Sequence, residues 1–481
     1  MRHTLLPFAV AMAGEGECGV QQSEMVRPLP QRVSWHVRET LVLAGPLAVA
    51  QLAQMAMGVT DTVLLGGLGG DALAAGGLAA SIFITVVILL QGVVTAVSIL
   101  VAQALGAGRE RDVPRLYWAG MALTWVLMIP AALVFVEAGP ILLWLHEPPA
   151  LARDTGAYLA RLAWGVPGAL LGLGLMRAIL PAIGQGSDLL IVALVAAVVN
   201  GLLCYGLIHG VAGLPALGML GAATSTAIVL TLIAVALLAL LHGRARLRRF
   251  VQWQRPGGRE LKDLMRLGVP VAGTFAVETG LFLAVGLMVG LLGAAALAAQ
   301  QVAMSAVSVS FMVPLAIAQA ANVRVGNAVG AQDWGRARRA GIVAIALGGV
   351  FELLTAVFVW FAPGTVSGWY VSPADTETTG IALSLLGVAA LFQVVDGVQC
   401  VAGGALRGLG DTRVPFVIAA AGYWGVGFPL AWALTWWAGW GAVGAWWGLA
   451  ASLLMVAALL TWRFLARTRQ SAENYPRARS L

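Results

Sequence analysis

Four acidic residues sit where acids are costly. Asp61, Glu278, Glu352 and Asp396 each lie inside a long apolar run. From Leu267 to Ala299 the only charged residue is Glu278, within TFAVETGLFLAV (274–285). A carboxylate at the centre of a bilayer costs about 2.5–3.5 kcal/mol on insertion scales, so it normally faces the inside of a helix bundle and marks an ion or substrate path. Glu352, in FELL, has no motif around it and reads as an acid bonded to a neighbouring helix. Glu137 falls near the end of its run. No Lys or Arg is expected deep in a run to pair with these acids, so the cavity they line is expected to be net negative. Two carboxylates in such a setting hold a proton or a metal cation. Oxygen ligands suit a hard cation, with Na+ the natural monovalent choice. The same cavity would attract organic cations, and the two attractions together suggest exchange of one cation for another.

Enzyme chemistry is poorly supplied. His3, His36, His146, His209 and His242 are scattered, and H-E-x-x-H, G-x-S-x-G and Walker loops are missing from the sequence. Cys18, Cys204 and Cys400 form no framework and read as small buried hydrophobes. No enzyme and no cofactor is expected. Without an ATPase motif, uphill transport would draw on an ion gradient, in which one charge crossing 100 mV supplies about 2.3 kcal/mol.

The elements that must position these acids are membrane helices. Of 481 residues, 60% are hydrophobic and 11% charged, and the mean hydropathy is +0.87. That leaves too little charge to cover a soluble surface, and many runs exceed the roughly 20 residues that cross a bilayer as a helix. The expected fold is an all-α integral membrane protein of about twelve transmembrane helices. The runs fall near 41–65, 74–100, 117–140, 158–183, 188–209 and 214–242, then 267–292, 297–323, 339–363, 381–406, 413–437 and 441–464.

Net charge is +7, mostly from arginines in the short breaks. No nucleic-acid motif accompanies them, so they read as orientation signals rather than a nucleic-acid surface. With Arg407 and Arg413 counted among the inner loops, they predict two cytoplasmic ends. Residues 1–40 read as a polar, basic cytoplasmic leader, with Met25 an alternative start and LLPFAVAMA too short to span. Residues 243–266 read as a basic cytoplasmic linker and 466–481 as a cytoplasmic tail.

The chain also repeats. Pro46 pairs with Pro270, GGLGGDALAAGGLAAS (66–81) with GLLGAAALAAQQVAMS (290–305), and VAQALGAG (101–108) with VGNAVGAQ (325–332), all at one offset of 224 residues. An even number of runs per half makes the repeat parallel, with a pseudo-twofold axis along the membrane normal. The expected architecture is two pseudo-symmetric six-helix bundles, an N-lobe over 41–242 and a C-lobe over 267–465. At this offset Glu278 corresponds to Gln54, and Asp61 to Val285. The scaffold is duplicated but its charges are not. The 60 glycines include small-xxx-small patterns at 66–70, 168–172, 404–408 and 444–448, which read as helix-packing sites. The 17 tryptophans crowd the last two runs and read as interface anchors or packing.

MGVTDTVLLGGLG (57–69), LGVPVAGTFAVETGLFLAV (267–285), AQAANVRVGNAVGA (318–331) and FQVVDGVQCVAGGALRGLGDTRVPF (392–416) resemble the multidrug and toxic compound extrusion (MATE) transporters, in particular their NorM-type bacterial branch. The resemblance runs from about residue 40 to 465. It implies antiport of cationic drugs against Na+ or H+ across the bacterial inner membrane. It also implies small organic cations and membrane lipid as partners, and function as a monomer. Asp61 matches the acid of the first helix, which the family ties to protonation. Glu278 and Asp396 match the acids of the seventh and tenth helices, the cation site of the C-lobe. Asn200 and Thr226 resemble polar residues beside the N-lobe acid. Phe392 replaces a tyrosine common in that branch, Gln300 a frequent histidine, and Cys204 a residue that is acidic or amide in some relatives. These departures reduce the expected N-lobe network to Asp61 and its neighbours. The alternative is a lipid-linked oligosaccharide flippase of the wider superfamily, whose cavity would need strong positive charge. A membrane enzyme or scaffold is the other alternative class.

Overall fold

The computed structural model describes residues 32–211, 213–371 and 375–478. Most of the leader, with Cys18 and Met25, and residues 479–481 of the tail lie outside the described residues. Twelve helices among the described residues are long and apolar enough to cross a membrane. They are α1 (Val33–Gly66), α2 (Gly70–Gly106), α3 (Glu110–Val136), α4 (Pro149–Ala182), α5 (Gly186–His209), α6 (Met219–Gly243), α7 (Gly258–Gly290), α8 (Ala294–Gly330), α9 (Trp334–Phe361), α10 (Thr376–Gly408), α11 (Arg413–Trp437) and α12 (Gly441–Gln470).

Several helices outrun their apolar runs. α1 begins at Val33 and α7 at Gly258 because WHVRET and RELKDLMR carry helix-forming side chains that continue the turn into the polar zone. Asp333 caps α9 by accepting from the Arg336 backbone N–H at 2.8 Å, and Asp375 caps α10 through Thr378 at 3.1 Å. Two helices are widened locally. α4 is π-helical over Ala169–Met176, and α11 over Ala421–Gly427 and Ala433–Trp437. A π turn takes up an extra residue, so the side chains after it change phase relative to a 3.6 period.

α1 to α6 pack into one apolar core and α7 to α12 into a second. Large apolar side chains such as Leu202, Leu283, Phe361 and Trp437 point outward, as expected where the surroundings are lipid rather than water. Three of the four small-residue patterns are packing sites. A Cβ on Gly168 would meet the α6 backbone at Leu230, one on Gly404 the Ala318 carbonyl of α8, and one on Gly448 the Ala431 backbone of α11. The fourth pattern makes a turn. Gly69 has φ +118°, and its repeat partner Gly293 has φ +121°, a region that favours glycine.

Because the span count is even, α1 begins and α12 ends at the same face, the terminal face. The basic connections after α2, α6, α8 and α10 lie there too. Arginines at this face hold acids there, Arg244 pairing with Asp188 at the start of α5 at 2.6 Å and Arg463 of α12 with Asp411 of the α10–α11 connection at 3.0 Å.

The two lobes meet in a seam toward the terminal face, and the seam obeys the repeat. Asn322 donates to Ser98 Oγ at 3.1 Å across 224 positions, so a residue pairs with its own repeat partner on the pseudo-twofold axis. A Cβ on Gly106 would overlap the Asn327 carbonyl, and one on Gly330 would overlap the Gln103 carbonyl. Each of these residues is the other's counterpart. Gln103 donates to the Gly408 carbonyl at 3.0 Å, and Arg324 donates to the His36 carbonyl at 2.6 Å and to the Thr40 hydroxyl. Backbones this close need glycine. We therefore expect Gly106→Ala and Gly330→Ala each to destabilise the lobe-closed state by about 1–3 kcal/mol, read as a lower melting temperature in detergent. Gly403→Ala, where an added Cβ meets nothing within 4 Å, should leave it within error. Equal melting of all three would refute the seam.

Candidate functional site

Between the lobes lies a cavity of about 650 Å³. It reaches from Leu65 and Leu73, beside the α1–α2 turn at the opposite face, down to Gln319 and Asn322 above the seam. Its walls are mainly apolar and aromatic, including Phe83, Tyr158, Phe275, Phe282 and Phe311, with Met55, Met57 and Met312. Flexible thioethers and ring faces accept flat apolar bodies of varied shape and attract organic cations.

Asp61 stands on the N-lobe wall near the outer end of α1. Asn200 Nδ2 of α5 donates to its Oδ1 at 2.7 Å, and Thr226 Oγ1 of α6 donates to its Oδ2 at 2.8 Å. Both residues named as its neighbours are thus in place. The Cys204 thiol, one helical turn after Asn200, is buried as expected and lies within electrostatic reach of Asp61. Tyr158 of α4 lines the same wall within electrostatic reach of Asp61. Nothing in the apolar run around Tyr158 marked it.

Glu278 stands on the opposite wall, on α7. Asp396 does not line the cavity. It is buried one layer inside the C-lobe, 5% exposed, close enough for the charges of Glu278 and Glu352 to act on it. Its Oδ1 is buried with no hydrogen-bond partner, and so is the hydroxyl of Tyr423 on α11. The Tyr423 hydroxyl lies within electrostatic reach of both Glu278 and Asp396. Phe392 does not support this group directly. It is in the C-lobe core, edge-on to Phe282 at 6.1 Å and tilted against Trp446 at 5.7 Å. The aromatic hydroxyl missing from position 392 has a counterpart from another helix.

Glu352 belongs to this cluster, although its sequence gave no signal beyond a lone acid. It is 1% exposed on α9 and lies against Gly397, the residue after Asp396, where an added Cβ would approach its Cγ to 2.6 Å. Thr355 Oγ1 donates to Glu352 Oε2 at 2.9 Å, and Gln393 Nε2 donates to Thr355 Oγ1 at 2.9 Å. Gln300, which stands where the family often has histidine, lies against Gly286 on α7. No cluster of three or more His, Cys, Asp or Glu able to hold a metal occurs among the described residues.

The expectation of a net negative cavity without buried bases does not hold. Arg177 and Arg407 both line it. Arg177 follows the π-helical stretch of α4 and turns inward, where a residue so near a helix end would ordinarily snorkel to the interface. With the Gln319 amide oxygen facing it, Arg177 Nη2 and Nε donate at 2.7 and 3.2 Å, and Nη1 lies 3.5 Å from Gln54 Oε1. Gln319 is on α8, so this contact joins the lobes at the cavity floor. Arg407 was counted among the loops, but α10 runs on to Gly408, so the guanidinium lies beneath the C-lobe wall, over the Phe275 ring at 5.6 Å.

The MatE family model matches the chain twice, over residues 46–206 and 270–433, once in each half. The chain is 53% identical over 442 residues to the multidrug resistance protein NorM of Burkholderia vietnamiensis, covering 91% of this chain and 96% of that one. It is 54% identical over 438 residues to the probable multidrug resistance protein NorM of Burkholderia mallei, covering 90% and 94%. Among solved structures, the eukaryotic MATE transporter AtDTX14 superposes with a TM-score of 0.83 at 20% identity, over 92% of this chain and 99% of that one. An outward-facing multidrug resistance MATE family transporter gives 0.83 at 17% identity, over 91% and 96%. These two likenesses establish the fold. The twice-matched family model and relatives more than half identical over nine-tenths of the sequence establish more: the chain belongs to the MATE family, in its NorM branch.

Proposed function

We propose that this multi-pass membrane protein is a multidrug exporter that releases cationic amphipathic compounds in exchange for Na+ or H+. The observation that carries the reading is the cavity between two lobes, with Asp61 on one wall and Glu278 on the other, closed by a glycine-tight seam at one face. A drug cation would lie against the aromatic walls with its charge toward these acids. A coupling cation would be taken up by Glu278 and Asp396. The orphaned Asp396 Oδ1 and Tyr423 hydroxyl supply waiting ligands behind the wall. Its arrival would cancel the charge that held the drug. Asp61, held by hydrogen bonds from Asn200 and Thr226, would serve as a separate proton-sensitive switch in the N-lobe.

The basic loops at the terminal face support a cytoplasmic placing of both ends. On that placing the cavity faces outward. Breaking the seam, while the lobes close at the opposite face, would turn it inward. One chain contains both lobes and the whole cavity, which supports action as a monomer, with residues 41–242 and 267–465 as the moving units. The flippase alternative is disfavoured by relatives named as multidrug resistance proteins, not by an absence of buried bases, since Arg177 and Arg407 are present.

In proteoliposomes with sodium and pH gradients imposed separately, Glu278→Gln and Asp396→Asn should each slow efflux of a fluorescent cation by at least about tenfold, the effect of about 1.4 kcal/mol. Unchanged efflux in both variants would sink the proposal. Asp61→Asn should depress proton-driven efflux more than sodium-driven efflux, and an equal loss under both gradients would deny it a separate role. For the third C-lobe acid, Glu352→Leu should lower stability by about 0.5–1.5 kcal/mol by removing the carboxylate that accepts from Thr355 Oγ1. Glu352→Gln, which keeps a side-chain oxygen, should melt closer to the parent. The comparison is a thermal melt in detergent.

A further inference from the structure

The connection between the lobes is folded and is no loose tether. Leu247, Phe250 and Val251 are buried in the N-lobe core. Trp118 Nε1 of α3 donates to the Val251 and Gln252 carbonyls at 3.3 and 3.1 Å, and Arg249 pairs with Glu110 at 3.0 Å. Trp253 stands edge-on to Trp118 at 4.6 Å, yet is 71% exposed. α7 then begins against the N-lobe. Leu264 is buried in that core, and a Cβ on Gly268 would overlap the Val93 carbonyl of α2. The segment is held in place and presents a fixed outer surface.

That surface is basic along one edge and apolar along the other. Arg259, Lys262 and Arg266, three and four residues apart, form an exposed stripe on the first turns of α7. Leu261, Met265 and Val269, four residues apart, form an exposed apolar stripe beside it. Adjacent stripes of these two kinds suit the boundary between lipid headgroups and acyl chains, where long bases reach outward and apolar side chains lie inward. An exposed tryptophan belongs at the same level. Arg246 and Arg255 of the connection are exposed as well. None of these five bases has a carboxylate within ion-pair distance among the described residues. The paired bases of the connection, Arg244 and Arg249, face acids of the protein itself. The unpaired ones face outward, with no anion to offset them.

We infer that this surface is a binding site for an anionic phospholipid, in which Arg259, Lys262 and Arg266 take the headgroup phosphate while an acyl chain lies along Leu261, Met265 and Val269. The occupant is a lipid and not free phosphate, because an apolar stripe runs beside the basic one and only an amphiphile satisfies both. Arg246 and Arg255 add attraction at longer range, which favours net negative headgroups over zwitterionic ones. α7 starts on the N-lobe and ends in the C-lobe core, at Leu281, Val285 and Met288. A lipid on its first turns therefore holds the helix where it passes from one lobe to the other. The site lies at the terminal face, so it does not depend on what the cavity carries.

The test is native mass spectrometry of the full-length protein, released from micelles containing equal amounts of phosphatidylglycerol and phosphatidylcholine. The parent should retain phosphatidylglycerol in preference by at least about tenfold, since each base beside an anionic lipid contributes about fivefold. The triple variant Arg259→Gln, Lys262→Gln, Arg266→Gln should lose that preference. The variant Arg259→Lys, Arg266→Lys, which keeps the charge, should retain most of it. A thermal melt confirms that each variant is folded. A control with the same loss of charge elsewhere at the terminal face, Arg338→Gln, Arg339→Gln, Arg413→Gln, should behave as the parent. Equal loss in the two triple variants would reduce the effect to overall charge and overturn the inference, as would a parent without preference. Displacement of phosphatidylglycerol by inorganic phosphate would assign the bases to a free anion and overturn it too. The measurement involves no drug and no ion gradient, so its failure leaves the proposed exchange untouched.

Discussion

A charge cannot be left facing hydrocarbon, and the arrangement of the helices follows from that. Asp61 and Glu278 point into the space between the lobes, while Asp396 and Glu352 point into the C-lobe interior. Asp61 has polar company from other helices, Asn200 and Thr226, while Glu352 accepts from Thr355 of its own helix, which in turn accepts from Gln393 of α10. With no water in the membrane to solvate them, these contacts set how α1, α5 and α6 approach one another, and how α9 faces α10. A carboxylate removed from this scheme would leave donors behind it unmet, at a cost comparable with the bond itself.

Duplication supplies the frame and divergence supplies the chemistry. The Gly69 and Gly293 turns, the Ser98–Asn322 pair and the reciprocal Gly106 and Gly330 contacts are twofold features of two like halves. The charges do not obey that symmetry. Where the C-lobe has Glu278, the N-lobe has Gln54, and Gln54 lies beside Arg177. Two like bundles meeting in a self-complementary seam can part there with little change in their own cores. On the proposed exchange, the differing side chains would let each lobe respond to a different ligand.

Much of this was legible in the sequence. Twelve apolar runs give twelve helices, and a fixed offset of 224 gives the seam its partners, because helix formation and repeat register depend on local composition and spacing. Asp61, Asn200 and Thr226 come together as the family resemblance implies. What was hidden depends on phase and depth. Arg177 follows a π-helical stretch, whose extra residue per turn defeats a 3.6-period projection. Arg407 looked like a loop residue because charge was taken to end the helix. Tyr423 and Glu352 join the C-lobe acids only through the packing of α11 against α7 and α12 and of α9 against α10, a long-range fact with no local signature. Phe392 shows the same limit: its neighbours in sequence include Asp396, yet its side chain turns to Trp446.

The buried arginines change how exchange would operate. A cavity holding only acids could accommodate a drug cation and a coupling cation together, because each would find its own counter-charge. Counted formally, Asp61 and Glu278 on the walls are balanced by Arg177 and Arg407 beneath them. In a setting of low effective dielectric, unbalanced charge is costly over several ångströms. A second cation entering a balanced cavity already occupied by a first would raise its net charge by another unit with no acid left to offset it. Competition between ion and drug, which an exchanger requires, then follows from the charge balance of the whole cavity and does not need the two to contact the same carboxylate.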